Sequence, residues 1–118
     1  MKRLLRVALL TVASCLPWAV FATCGHSGGV DYCGPDVVGL IYVTSSGLVY
    51  VQPAGPLNPA PRGFVCAPAG GSYFVLEPNA TNFKQIYAAL LTARVSGAPV
   101  TLVADPAKST CTLMYVTL

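Results

Sequence analysis

The clearest pattern of apolar and polar positions runs from Asn82 to Val103. Phe83, Ile86, Tyr87, Leu90, Leu91 and Arg94 recur at i, i+3, i+4, i+7, i+8 and i+11, the spacing of one face of an α-helix. Asn82 is placed to cap its start, with Gln85 three residues on in a capping-box pattern. Gly97 suits the left-handed conformation that ends helices, and Pro99 cannot continue one. The opposite face carries Gln85, Ala88, Ala89, Thr92 and Ser96, all small or uncharged. An ordinary solvated face would carry several Lys and Glu. Two readings follow: a short surface helix of an uncharged protein, or a face that approaches another helix closely in an oligomer. Arg94 interrupts the apolar stripe. A cation near a helix C-terminus is favoured by the dipole, and its stem can snorkel; a buried pair between subunits is the alternative.

Ahead of the helix the pattern becomes that of short strands. Val37 to Thr44, a turn at Ser45-Ser46-Gly47, and Leu48 to Gln52 read as a hairpin of β-branched and aromatic residues. Pro53 to Arg62 holds four prolines and reads as an exposed, stiff loop. Gly63 to Ala67 reads as a third strand, and Ser72 to Leu76 as a fourth or as its continuation. After the helix, Pro99 to Ala104 reads as a buried strand and Asp105 to Lys108 as a turn. Thr110 to Leu118 alternates with both faces apolar or threonine, as in a strand covered on both sides or at a subunit edge. The order predicts a mainly β fold with one helix. It matches the β-β-β-α-β-β order of a small five-stranded oligonucleotide/oligosaccharide-binding-type barrel, here disulfide-stapled.

The first residues change the meaning of the composition. Lys2, Arg3 and Arg6 precede the apolar run Val7 to Leu16, and Val20-Phe21-Ala22 ends in small residues. This predicts a signal peptide over 1–22, cleaved near Ala22, and a single domain over 23–118. The alternative is a lipoprotein signal, Val12-Ala13-Ser14-Cys15, with Cys15 as the lipidated terminus. Cleavage near Ala22 would remove the three basic residues and the one tryptophan, Trp18. Arg62, Lys84, Arg94 and Lys108 then balance Asp31, Asp36, Glu77 and Asp105, for a formal charge of zero. That composition argues against nucleic acid and against electrostatic membrane binding. It predicts a secreted or periplasmic protein.

Cys24, Cys33, Cys66 and Cys111 remain, an even number that reads as two disulfides in an exported chain. Three pairings are open; the preferred one joins Cys24 to Cys33 locally and Cys66 to Cys111 over a long loop. Thr23 to Pro35 reads as an irregular loop closed by the first of these. It holds the only histidine, and Cys24, His26, Asp31 and Cys33 together resemble a metal set. Their spacing fits no familiar zinc pattern, and oxidised cysteines offer no thiolate, so the expectation is no metal and no cofactor. His26 by itself reads as a surface residue. Asn79-Ala80-Thr81 matches a glycosylation sequon, read here as a chance match. With one histidine and four scattered carboxylates, neither a triad nor an acid pair assembles, and no enzyme is expected.

One resemblance adds to this. The run Phe83-x-x-Ile86-Tyr87-x-x-Leu90-Leu91-x-Ala93-x-x-Ser96-Gly97-x-Pro99-Val100-x-Leu102, with Cys111 beyond it, resembles the helix-to-strand core of the B subunit of subtilase cytotoxin and of related small exported bacterial proteins. Gly39 to Gly47 is similar to that family's first strand and turn, and Cys66 to its cysteine ahead of the helix. The resemblance implies a bacterial source, the barrel fold, and a ring-like homopentamer with helices around a central pore. It also implies binding of sialylated host glycans, with a toxin A subunit as partner. In that family a serine near the first strand belongs to the sugar pocket. Pro35-Asp36-Val37-Val38-Gly39 has none, which leaves Asp36 and Tyr42 as nearby candidates. Tyr32, Tyr50 and Tyr73 join them, because sugar sites use aromatic faces with a few fixed polar groups. The oligomer candidates are Gln85, Ala88, Ala89 and Thr92. The other reading is a small periplasmic or secreted structural or interaction protein of the same fold with no glycan binding.

Overall fold

The computed structural model of the chain describes residues 24–55 and 57–118. The expected signal segment 1–22 and the Cys15 alternative lie outside them. The described residues form β1 (Cys24–Ser27), β2 (Val30–Asp36), β3 (Val38–Val43), β4 (Val49–Pro53), β5 (Phe74–Leu76), α1 (Phe83–Ser96), β6 (Val100–Ala104) and β7 (Leu113–Thr117). Two antiparallel sheets result, β1-β2-β6-β7 and β3-β4-β5. The fold is thus mainly β with one helix, and its seven described strands lie in two sheets where five strands were expected.

Cys24 to Pro35, within the segment Thr23 to Pro35 expected to be an irregular loop, is largely a hairpin. Cys24 pairs with Cys33 and Ser27 with Val30, leaving Gly28-Gly29 as a two-residue turn. Both glycines have positive φ, 61° and 81°, as a twisted two-residue hairpin turn requires. Gly34 in β2 is required by close packing. A Cβ there would stand 2.5 Å from the Val100 carbonyl oxygen and 2.6 Å from Thr101 Cα. The β2–β6 register shifts at this point, between Cys33 and Asp36. Both disulfides have the preferred pairing, Cys24–Cys33 and Cys66–Cys111.

The expected third strand, Gly63 to Ala67, does not form. Its donors go elsewhere: the Val65 and Cys66 N–H groups donate to the Asp31 carboxylate. Only Ala67 makes a ladder-like contact, a single bridge to Thr110. A segment whose amides bind a side chain has none left for a neighbouring strand. The hairpin of β3 and β4 appears as expected, in register from Val43↔Val49 to Val38↔Pro53. In β4, Val49, Val51 and Pro53 point inward while Tyr50 and Gln52 are only half-buried, the period of two that puts alternate residues on opposite faces.

The helix buries Ile86, Leu90 and Ala93, with Phe83 and Tyr87 packed against the core. It rests against β3 and β7. This inner stripe is narrower than expected. Leu91 is 40% exposed, and Arg94 is exposed rather than set within the apolar face. The cause is angular: Leu91 lies about 100° around the axis from Leu90, and Ala93 takes the central place instead. Gly97 ends the helix in the left-handed conformation, at φ 70°. The expected capping box is absent: Asn82 makes no side-chain cap, and its Nδ2 donates to the Met114 carbonyl at 3.1 Å. Strand β7 ends its sheet, and Tyr115 is exposed. Inside, Phe74, Leu57, Leu76, Leu90 and Leu102 are fully buried. Each such side chain contributes roughly 1.5–3 kcal/mol by leaving water.

Loop length ranks the two disulfides. Cys66–Cys111 spans 45 residues and Cys24–Cys33 spans 9. Restriction of the unfolded chain is then worth roughly 4 and 2.5 kcal/mol respectively. In urea unfolding, the Cys66→Ala/Cys111→Ala variant is expected to lose at least about 1 kcal/mol more than the Cys24→Ala/Cys33→Ala variant. Equal losses would contradict this ranking.

Candidate functional site

The pairing of β3 with β4 sets Tyr42 directly opposite Tyr50. Their rings stack at 4.9 Å between centroids and 9° between planes. Tyr73, from the turn ahead of β5, meets both edge-on, at 5.4 Å and 5.6 Å. That turn is shaped by the Ala69 N–H donating to the Tyr73 carbonyl at 2.8 Å and the Tyr73 N–H donating to the Ala69 carbonyl at 3.0 Å. Three of the sequence candidates, well separated along the chain, thus form one cluster on the outer face of the three-stranded sheet. Edge and face contacts of this kind follow the charge distribution of aromatic rings. The Tyr42 phenol is pushed above its ordinary value of 10.0, first by desolvation and then by the neighbouring Tyr73 and Tyr50. Like any phenol it is neutral near pH 7, where its hydroxyl can both donate and accept.

Beside the cluster lies a shallow hollow of about 370 Å³, walled by Leu48, Tyr50, Val75, Glu77, Thr110 and Thr112. An aromatic wall with hydroxyl and carboxylate groups around it suits a ligand with both an apolar face and hydroxyls.

Asp36 is placed differently. It is buried, and its carboxylate oxygens accept the N–H groups of Val37 and Gly55, each at 2.8 Å. These bonds fix the β2–β3 junction, and Asp36 stands apart from the tyrosine cluster in its contacts. Tyr32 lies in β2, paired across the sheet with Gly25.

Asp31 is the group that sequence reasoning undervalued. It is buried, and its Oδ2 accepts the Val65 and Cys66 N–H groups at 2.9 Å and 2.7 Å. Its Oδ1 lies 2.7 Å from His26 Nδ1, which donates to it and leaves Nε2 for another partner. An oriented histidine is the base half of a nucleophilic relay. Among the described residues the hydrogen bond of this ring is to Asp31, and no hydroxyl completes a relay. Asp31 also lies close to the Cys66 and Cys111 sulfurs, all within 4.8 Å of one another. Sulfurs joined in a disulfide are not thiolate ligands, so this set does not suit a metal ion. The sequence signal for Asp31 was slight: an acidic residue two positions before a cysteine, in a Gly-rich segment that reads as a loop. Its partners 34 and 35 residues away were not visible there.

On the helix, Gln85, Ala88 and Thr92 are exposed and Ala89 is half-buried. Leu91 and Val95 join them on the outer side, Val95 at 89% exposure. Among the described residues, no helix is long and apolar enough to cross a membrane.

Replacing Asp31 with Ala is expected to cost about 2–4 kcal/mol in urea unfolding, because the buried Cys66 amide and the part-buried Val65 amide lose their acceptor. Asp31→Asn keeps one acceptor oxygen and is expected to cost less. Equal costs would mean that the two amides find other partners.

No protein-family model matches this chain, and neither does any curated protein or solved structure.

Proposed function

We propose that this chain is an exported glycan-binding module in which Tyr42, Tyr50 and Tyr73 form the platform for a sugar ring. The tyrosine cluster carries this reading. A sugar presents C–H groups on one face and hydroxyls around its rim. The first pack on aromatic rings, and the second need a few fixed polar groups. Glu77, Thr110 and Thr112 stand beside Tyr50 to supply them. The zero formal charge of residues 23–118 favours a neutral or weakly charged ligand over nucleic acid. Two disulfides suit an oxidising compartment outside the cytosol, secreted or periplasmic.

The order of strand pairing supports the barrel of the oligonucleotide/oligosaccharide-binding type. β3 pairs with β4 and β4 with β5. A parallel bridge, Val75↔Thr112, leads from β5 to the residues just before β7. β7 pairs with β6, and β6 with β2, which runs through Val37 into β3. Taken as one bent strand, β2 and β3 make five strands in a circuit, with β1 added at one end. In such barrels the second and third strands and two flanking loops form the binding face. By that count the two strands would be β4 and β5: Tyr50 lies on β4, with Tyr42 beside it on β3 and Tyr73 just ahead of β5.

The helix's outer face is the proposed contact between copies in a ring-like oligomer. Its support is the exposure of Ala88, Leu91, Thr92 and Val95 on a face with little charge. By the B-subunit resemblance that ring has five members and carries a toxin A subunit as its catalytic partner.

On a glycan array the protein is expected to bind, and Tyr50→Ala to lose tenfold or more in affinity, about 1.4 kcal/mol, with an unchanged circular dichroism spectrum. A blank array would leave the structural or interaction role as the better reading. Native mass spectrometry at micromolar concentration is expected to show a ring that Ala88→Glu breaks into folded monomers. A wild-type protein that is only monomeric would overturn the oligomer.

A further inference from the structure

The hollow beside Tyr50 does not stand alone. It shares Glu77 and Thr112 with a larger one of about 520 Å³, which reaches Asp105 and Lys108. That second hollow shares Asp105 and Lys108 with a third, of about 160 Å³, which ends at His26 and Asp31. Each neighbouring pair has two walls in common, and all three follow the segment from Asp105 to Thr112. The largest falls within the roughly 300–1,000 Å³ typical of ligand sites.

We infer that the three hollows form one trough for an extended, uncharged oligosaccharide of several sugar units. Its aromatic end is at Tyr50 and its histidine end at His26. This rests on the glycan reading given under Proposed function and extends it from one sugar to a chain. The walls carry charges of both signs, most of them engaged within the protein. Asp105 accepts the Ala107 N–H at 2.9 Å, and its own N–H donates to the Thr112 carbonyl at 2.7 Å, which fixes the loop. Asp31 holds His26 at 2.7 Å at the far end. Between the ends, Lys108 Nζ and Glu77 Oε2 lie 3.8 Å apart, both partly exposed. A loose surface pair of this kind is weak, so the hydroxyls of a ligand can replace it at little cost. The trough is lined by both donors and acceptors, among them Asn79, Thr81, Lys108 and Thr112, and the carboxylates of Glu77 and Asp105 oppose any polyphosphate chain. Hydroxyl groups, which both donate and accept, match such walls better than phosphates do.

The test is a length series. Chito-oligosaccharides and N-acetyllactosamine repeats, from monomer to hexamer, are titrated into the intact mature protein by calorimetry and by amide-shift NMR. Affinity is expected to rise at least tenfold from the shortest to the longest chains. The shifted amides are expected to spread from Tyr50 through Thr112 to Lys108 and His26. Tyr50→Ala should weaken every length. His26→Ala should weaken only the longer chains, by threefold or more. Because His26 also contacts Asp31, Lys108→Gln at an exposed position repeats the test without disturbing the hairpin. Affinity independent of length, with both variants silent, would overturn the trough and leave the tyrosine platform standing. Binding of an oligo-thymidine octamer in place of the sugars would also overturn it. Absence of binding by any probe, on the array and in the titrations, would remove both the platform and the trough.

Discussion

One buried carboxylate ties together parts of the chain that the strand ladders leave separate. Asp31 sits in β2, accepts two amides from the segment at Val65 and Cys66, and holds His26 of β1. The segment it captures comes from the proline-rich stretch, which cannot pair as a strand across its length. Removing a carboxylate from water is costly unless its oxygens are bonded, and three donors meet that need here. The same capture places Cys66 against Cys111, and so joins the loop to the entry of β7. The disulfide and the carboxylate therefore act at one point, where four stretches of chain meet.

From that point the functional face follows. With the loop pinned behind the sheet, Val38, Val49, Val51, Phe74 and Leu76 of β3, β4 and β5 turn inward to the core. Alternation then leaves Tyr42 and Tyr50 facing out. Tyr73 closes on them because the Ala69–Tyr73 turn folds back at the start of β5. The hollow beside Tyr50 has Thr110 and Thr112 as walls because the parallel bridge at Val75 draws their segment alongside β5. Core packing and candidate binding face are thus two sides of the same short sheet.

Several elements were legible in the sequence. The helix, its glycine stop, the β3–β4 hairpin and the presence of two disulfides were read from periodicity, turn chemistry and cysteine parity; the pairing was one of three left open, and the structure has the preferred one. The β1–β2 hairpin was not. Glycine, cysteine and proline crowd that segment, and its turn signal, Gly28-Gly29, carries no β-branched flank on one side. Gly63 to Ala67 misled in the opposite direction: its residues favour a strand, but its amides were taken by Asp31. On the helix, Leu91 and Arg94 matched the apolar stripe by count, and the contact with β3 and β7 rotated them outward.

The sequence by itself determined what depends on neighbours a few residues apart: where the helix begins and ends, the β3–β4 hairpin, and that the cysteines are even in number. Tertiary structure decided which distant groups meet. Tyr73 reaches Tyr42 and Tyr50, Asp31 reaches residues 34 and 35 positions away, and Asp36 is spent on backbone amides. The reason is physical. Local conformation is set by torsional preference and hydrogen bonds within a turn or two. Long-range partners are set by sheet order and register, and a one-residue slip would send the tyrosines to the other face.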